Sequence, residues 1–162
     1  MSDELHIEID IRGQRLRLLQ GAALLREYRV STAKNGAGER MDTGCTPRGR
    51  HVIAEKIGEG AAPGTIFVGR RPTGEIYSPE LRQQSPARDW IVTRILWLAG
   101  TEPGRNQGGE VDTYNRYIYI HGAPDDVPMG QPGSAGCIRM CNQDVTELFD
   151  RAPTGTVVEI RE

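Results

Sequence analysis

The chain has 162 residues, 37% of them hydrophobic and 26% charged, with a net charge of -2 at pH 7. A length of this order predicts one domain, residues 1–162, that buries about 70% of its unfolded surface and needs no staple to fold. This composition excludes extensive disorder. The charge lacks the basic surplus that phosphate neutralisation requires, so nucleic acid is not an expected partner.

No apolar stretch approaches the roughly 20 residues of a membrane span, so no membrane partner is expected. The opening MSDELHIEID carries acids where a signal peptide carries basic residues, and no apolar run follows. The expectation is a cytoplasmic protein, or a periplasmic one should a signal peptide have been removed. Twenty glycines and ten prolines predict many turns and few long helices. Three cysteines, Cys45, Cys137 and Cys141, make an odd set without a secretory signal, which argues against a disulfide framework.

In chain order, Leu5, Ile7, Ile9 and Ile11 alternate with polar residues and predict a strand over 5–12. Gly13-Gln14 turns it into a second strand carrying Leu16 and Leu18. Further strands are predicted at 28–31, 51–57, 66–69 and 90–98, with a loop at 34–38 and a turn at 45–49. Residues 78–88 hold two prolines and read as loop or short helix, and 100–109 as a long loop. Over 116–121, Tyr117 and Tyr119 alternate with Ile118 and Ile120, a strand with two packed faces. The next fifteen residues, 122–136, hold four glycines and three prolines and cannot be regular. Asn142 is placed to cap a helix whose Val145, Leu148 and Phe149 share a face, ending near Pro153, and 156–160 closes the chain as a strand. The sum is a mostly β fold with one C-terminal helix.

The chemistry concentrates between His121 and Cys137. A cysteine nucleophile needs a thiolate, and a neighbouring imidazole is the usual device for making one. An ion pair of the two would lower the thiol pKa and raise that of the imidazole. A strand end holds the histidine, and the loop returns the cysteine to it. Gly136 leaves the backbone bare beside the sulfur, and the N–H groups of Gly136, Cys137 and Ile138 are candidates for an oxyanion hole. The competing reading is zinc held by His121, Cys45, Cys137 and Cys141, a set without a C-x-x-C pair. Cys45 is expected to be a small buried hydrophobe.

His121-Gly122, fifteen residues between His121 and Cys137, and then Ser134-x-Gly136-Cys137-Ile138-Arg139-Met140 resemble the signature of the L,D-transpeptidase (YkuD-type) catalytic domain. Thr46-Pro47-x-Gly49, Val30-Ser31-Thr32 and Asp144 fit the same family. The resemblance implies a β-sandwich-like catalytic domain acting on peptidoglycan stem peptides, with no cofactor or metal. It implies that Cys137 attacks the carbonyl of the L-centre third residue, that His121 takes the thiol proton, and that the Gly122 carbonyl orients the imidazole. Terminal D-alanine leaves, and the acyl-enzyme passes to water or to an acceptor amine. Many members carry histidine where this chain has Ala135, which leaves His121 as the only imidazole of the motif.

Two uses of such a site are open: an L,D-carboxypeptidase that trims tetrapeptides in murein recycling, and an exported L,D-transpeptidase that forms 3-3 cross-links or exchanges D-amino acids. A silent murein-binding module is a third reading, disfavoured by the intact pair. Arg139 is a candidate for the substrate carboxylate or for a structural ion pair. Ser134 is a candidate donor near the sulfur or a holder of the loop. Trp90, Trp97 and Tyr119 belong to cleft or core, Asp112, Asn115 and Arg116 precede the His121 strand and are candidates to reach the substrate, and Gly130 and Gly133 read as hinges.

Overall fold

The computed structural model describes residues 4–162; residues 1–3 of the acidic N-terminal stretch lie outside the described part. Strand β1 (Leu5–Asp10) pairs antiparallel with β2 (Arg15–Gln20), placing Ile7 opposite Leu18 and Ile9 opposite Leu16. Successive side chains alternate between faces, so these four share one face, and none is more than 1% exposed.

Strand β3 (Ala23–Arg29) extends this sheet edge and begins earlier than its sequence predicts. Only Tyr28 in it is buried, so its first residues carry no alternation to read. Side-chain bonds support it instead, Arg17 to Glu27 and Arg26 to Glu147. Beyond its end Ser31 makes an isolated antiparallel bridge to Arg139.

Strand β4 (Gly49–Ile57) lies antiparallel to β10 (Val157–Arg161), which runs parallel to β1. A hairpin of β5 (Thr65–Val68) and β6 (Arg71–Ile76) follows. Sequence reading passes over β6 because it contains Pro72 and Gly74 and every residue in it is exposed, as suits an edge strand. Within 78–88 a short helix, α1 (Pro79–Gln84), forms with Ser78 accepting the Leu81 N–H.

Strand β7 (Ile91–Gly100) is the hub. It pairs with β4 and β5 along one edge and with β8 (Tyr119–Gly122) along the other. Both its faces are covered, so it is buried almost throughout. Strand β8 is shorter than the predicted 116–121 because Tyr117 takes a positive φ of 57° in the preceding turn. Strand β9 (Ile138–Met140) runs parallel to β8. The Ser31–Arg139 bridge then ties β9 back to the chain leaving β3, so the sheet curls over itself as a sandwich. Between its halves lie Ile7, Leu18, Ile53, Leu98, Ile120, Ile138 and Met140.

Helix α2 (Asn142–Arg151) covers one end of this core with Val145, Leu148 and Phe149, the face the sequence predicts. Each such side chain contributes about 1.5–3 kcal/mol on burial. Its cap differs from expectation. Cys141 holds the N-cap position without a side-chain bond, and Asn142 is the first helical residue, its side chain turned toward β7. Among the described residues no helix is long and apolar enough to cross a membrane.

Candidate active site

The alternation along β8 and β9 sorts the site. Ile118, Ile120, Ile138 and Met140 enter the core. Register pairs Ile120 with Ile138 and His121 with Arg139, so one step back Cys137 falls beside Tyr119. His121 and Cys137 are thus diagonal neighbours on the face opposite the core. The Tyr119 N–H donates to the Cys137 Sγ at 3.3 Å, and the thiol donates to the Tyr117 carbonyl at 3.4 Å. The sulfur packs against a cluster of Phe67, Ile95, Trp97 and Tyr119. Trp97 and Tyr119 are therefore core residues that also wall the site, whereas Trp90 belongs to a separate cluster with Ile66 and Val92.

His121 is 1% exposed. Its Nδ1–H donates to the Gly122 carbonyl at 2.6 Å, which leaves the lone pair on Nε2. Nε2 has no hydrogen-bond partner among the described residues. Gly122 must be glycine, because a Cβ there would meet the Val92 carbonyl oxygen at 2.5 Å.

The loop before Cys137 is clamped by the sequence motifs. Thr46 donates its hydroxyl to the Gly136 carbonyl at 2.9 Å and accepts the Ala33 N–H. The Thr32 carbonyl accepts the N–H groups of Gly133 and Ser134. Gly136 takes a φ of +134°, and a Cβ would press on the Cys45 carbonyl at 3.3 Å. Ser134 works inside this loop: its hydroxyl donates to the Cys137 carbonyl at 2.5 Å and accepts the Gly136 N–H at 3.1 Å. The Gly136 N–H is therefore not free for an oxyanion, contrary to expectation. Ile138 belongs to the β8–β9 ladder, and the Cys137 N–H has no partner among the described residues.

Arg139 is half-buried, donates to the Ser31 hydroxyl at 2.7 Å and forms no ion pair among the described residues. Its buried Nε has no partner. Gly133, expected as a hinge, is instead where this guanidinium passes; a Cβ would sit 2.4 Å from Nη2. Asp112 and Asn115 stay in their turn, with Asp112 accepting the N–H groups of Gly108 and Asn115. Arg116 does approach. It is half-buried and donates to the carbonyls of Gly38, Glu39 and Cys45. Cys45 is half-exposed rather than buried, with its thiol near the carbonyls of Asn35 and Thr43. Cys141 is exposed, and no group of three His, Cys, Asp or Glu side chains comes together among the described residues to hold a metal.

Residues 4–160 match the L,D-transpeptidase catalytic domain family, YkuD. The chain belongs to this family. It is 41% identical over 61 residues to the YkuD protein of Bacillus subtilis, a match covering 35% of this chain and 37% of that protein. Its fold is similar to an L,D-transpeptidase of Mycobacterium smegmatis, at 19% identity and a TM-score of 0.58, over 98% of this chain and 59% of that one. It is also similar to a cysteine-to-serine mutant of the Enterococcus faecium L,D-transpeptidase, at 16% identity and a TM-score of 0.59, over 99% and 50%. L,D-transpeptidase 3 of Mycobacterium tuberculosis, in complex with a faropenem-derived adduct, matches at 16% identity and a TM-score of 0.59, over 98% and 60%. The matched parts thus make up about a third of the Bacillus protein and at most three fifths of these chains.

The electrostatics of this L,D-transpeptidase domain depart from a thiolate–imidazolium pair. Burial pushes the Cys137 thiol up to about 12, against a smaller downward pull from the Tyr119 N–H and from Arg116 and Arg139. Burial also holds His121 below the usual histidine range, with the Gly122 bond opposing it. Desolvation disfavours both charges, so the resting pair is a neutral thiol beside a neutral imidazole.

Proposed function

We propose that Cys137 is an acyl-transfer nucleophile with His121 as its base, acting on the L,D-peptide bond of peptidoglycan stem tetrapeptides and releasing terminal D-alanine. The observation that carries this reading is the 2.6 Å bond from His121 Nδ1–H to the Gly122 carbonyl, which leaves Nε2 as acceptor on the sheet face that carries Cys137. From a neutral pair, Sγ attacks the scissile carbonyl carbon as its proton passes to Nε2. The Cys137 N–H receives the oxyanion. The C–N bond then breaks, Nε2–H protonates the departing D-alanine amine, and a thioester remains on Cys137. Nε2 next deprotonates the acceptor, which attacks the thioester and restores the thiol. Arg139, which forms no ion pair among the described residues although Asp89 lies within electrostatic reach, is the candidate anchor for the substrate carboxylate.

For the acceptor we propose water, which makes the enzyme an L,D-carboxypeptidase of murein recycling. Support comes from the 1% exposure of His121, which favours a small acceptor, and from Ala135 in place of a second imidazole. Mass spectrometry of disaccharide-tetrapeptide incubated with millimolar D-methionine tests this. Tripeptide plus free D-alanine is the expected main product; D-methionine-capped tetrapeptide or 3-3 dimers move the protein to the transpeptidase class. Cys137→Ala is expected to abolish turnover while keeping the fold. A carbapenem is expected to add its mass at Cys137, and an adduct on Cys45 or Cys141 instead would overturn the nucleophile.

A further inference from the structure

Directly across β7 from the histidine, the strand does something irregular. Val92 pairs with Gly122, but the next pair is Ile95 with His121. Thr93 and Arg94 are therefore extra residues with no partner on β8, a bulge in the hub strand beside the candidate base. Thr93 is fully buried and takes a φ of +76°, a conformation that a β-branched residue almost never adopts. Such strain persists only where surrounding contacts over-determine it.

Those contacts converge on the Thr93 hydroxyl. It accepts the Gly64 N–H at 3.0 Å and donates to the Asn142 side-chain carbonyl at 2.6 Å. The Arg94 guanidinium donates to the Thr93 carbonyl at 2.6 Å. The unit lies flush against Gly122. A Cβ on Gly122 would sit 2.6 Å from Asn142 Oδ1 and 3.0 Å from Thr93 Cβ. The peptide joining Gly122 to Ala123 is the one that fixes the imidazole. Its N–H donates to the Met140 carbonyl at 3.0 Å, and its C=O accepts the His121 Nδ1–H. Strand β9 thus holds one side of the glycine, and the Thr93–Asn142 pair closes the other.

We propose that Thr93, acting with Asn142, is a positioning residue of the acyl-transfer reaction: it locks the Gly122 peptide so that its carbonyl keeps His121 in one tautomer and orientation. The inference rests on His121 being the base. A regular β7 would set Thr93 directly opposite His121 and leave no bonded side chain against Gly122. The bulge lets one hydroxyl on β7 tie the residue before β5 to the start of α2, with the bonded pair packed against Gly122 of the His121 strand. This also gives Asn142 a use that its expected capping role hid.

Steady-state kinetics on disaccharide-tetrapeptide test the proposal. Thr93→Val keeps the β-branch and removes the hydroxyl. It is expected to lower kcat on the order of 10–100-fold, the size of loss that follows removal of a partner orienting a metal-bound histidine, with KM within about twofold. Thr93→Ser is expected to restore kcat to within about threefold of wild type. Asn142→Ala is expected to match Thr93→Val, and the double variant to be no worse than either single one, because the two act as a unit. Asn142→Ala, in the part-exposed first turn of α2, carries the test alone should Thr93→Val fail to fold. A kcat within about twofold of wild type in the variants lacking the pair, or a loss that Thr93→Ser does not restore, overturns the proposal. His121→Gln run alongside separates the two ideas. An active His121→Gln defeats the base assignment itself, whereas an inactive one beside a wild-type Thr93→Val defeats only the positioning role.

Discussion

Two histidines in this domain share almost everything. His51, in β4, and His121, in β8, are both buried, at 0% and 1% exposure. Each bonds through Nδ1 to a glycine carbonyl nearby in sequence, Gly49 at 3.0 Å and Gly122 at 2.6 Å. Burial lowers the pKa of both, that of His51 to about 4. They differ at the second nitrogen. His51 Nε2 accepts from the Thr113 hydroxyl at 2.9 Å, whereas His121 Nε2 has no hydrogen-bond partner among the described residues. Burial and a fixed tautomer are therefore common to both rings; what singles out His121 as the proposed base is an unspent nitrogen on the sheet face that carries Cys137.

The sharpest way to break this comparison is to remove each ring in turn. His121→Gln is expected to lose 10²–10⁴-fold in kcat, the order of magnitude of general-base catalysis, with its melting temperature nearly unchanged. Equal losses in kcat from His51→Gln would show that the two rings are not functionally distinct.

The state of the thiol sharpens the His121 side. With Cys137 pushed up to about 12, its thiolate fraction rises about tenfold per pH unit through pH 7–10. Iodoacetamide labelling, with peptide mapping to separate Cys137 from Cys45 and Cys141, is expected to accelerate across that range without a plateau. A plateau below pH 8 would instead reveal a thiolate–imidazolium pair and a different first step.

Stability against pH probes what the rings share. An unfolded histidine titrates near 6.5, and His51 in the fold titrates at about 4. Between those values the unfolded chain binds more protons. Its contribution is thus fully present above about pH 6.5 and is lost as pH falls toward 4, by about 3 kcal/mol for His51 and in the same direction for His121. Urea unfolding from pH 7 to 4 measures it, and the slope is expected to flatten in His51→Gln. The smallest effect is at neutral pH, where His51→Gln is expected to cost about 2 kcal/mol by leaving the Thr113 hydroxyl unpaired, with activity kept.

How much of the site was legible depends on how local its cause is. His121, Gly122, Ser134, Gly136, Cys137 and Arg139 sit in one segment whose residue types announce their chemistry. The alternation of Tyr117 and Tyr119 against Ile118 and Ile120 predicts a strand with two packed faces ending at His121, and the structure puts its isoleucine face in the main core. Thr93 was not legible, because nothing near it in sequence marks a bulge; Arg116 stands out in sequence only by its place before the His121 strand, and its bonds to three distant carbonyls are not readable there. The two halves of the His51 and Thr113 pair are likewise 62 residues apart.

The sequence by itself determined the strands with one buried face, the helix with its face of Val145, Leu148 and Phe149, the irregular loop before the cysteine and the family signature. Each follows from side-chain periodicity, from φ limits at Gly and Pro, or from residue types that carry chemistry. Only the tertiary structure decided which histidine keeps a free nitrogen, that the Gly136 N–H is spent on Ser134, and that Cys137 rests as a neutral thiol. Those outcomes turn on desolvation and on hydrogen-bond partners from distant segments, and both exist only once the sheet has curled over its core.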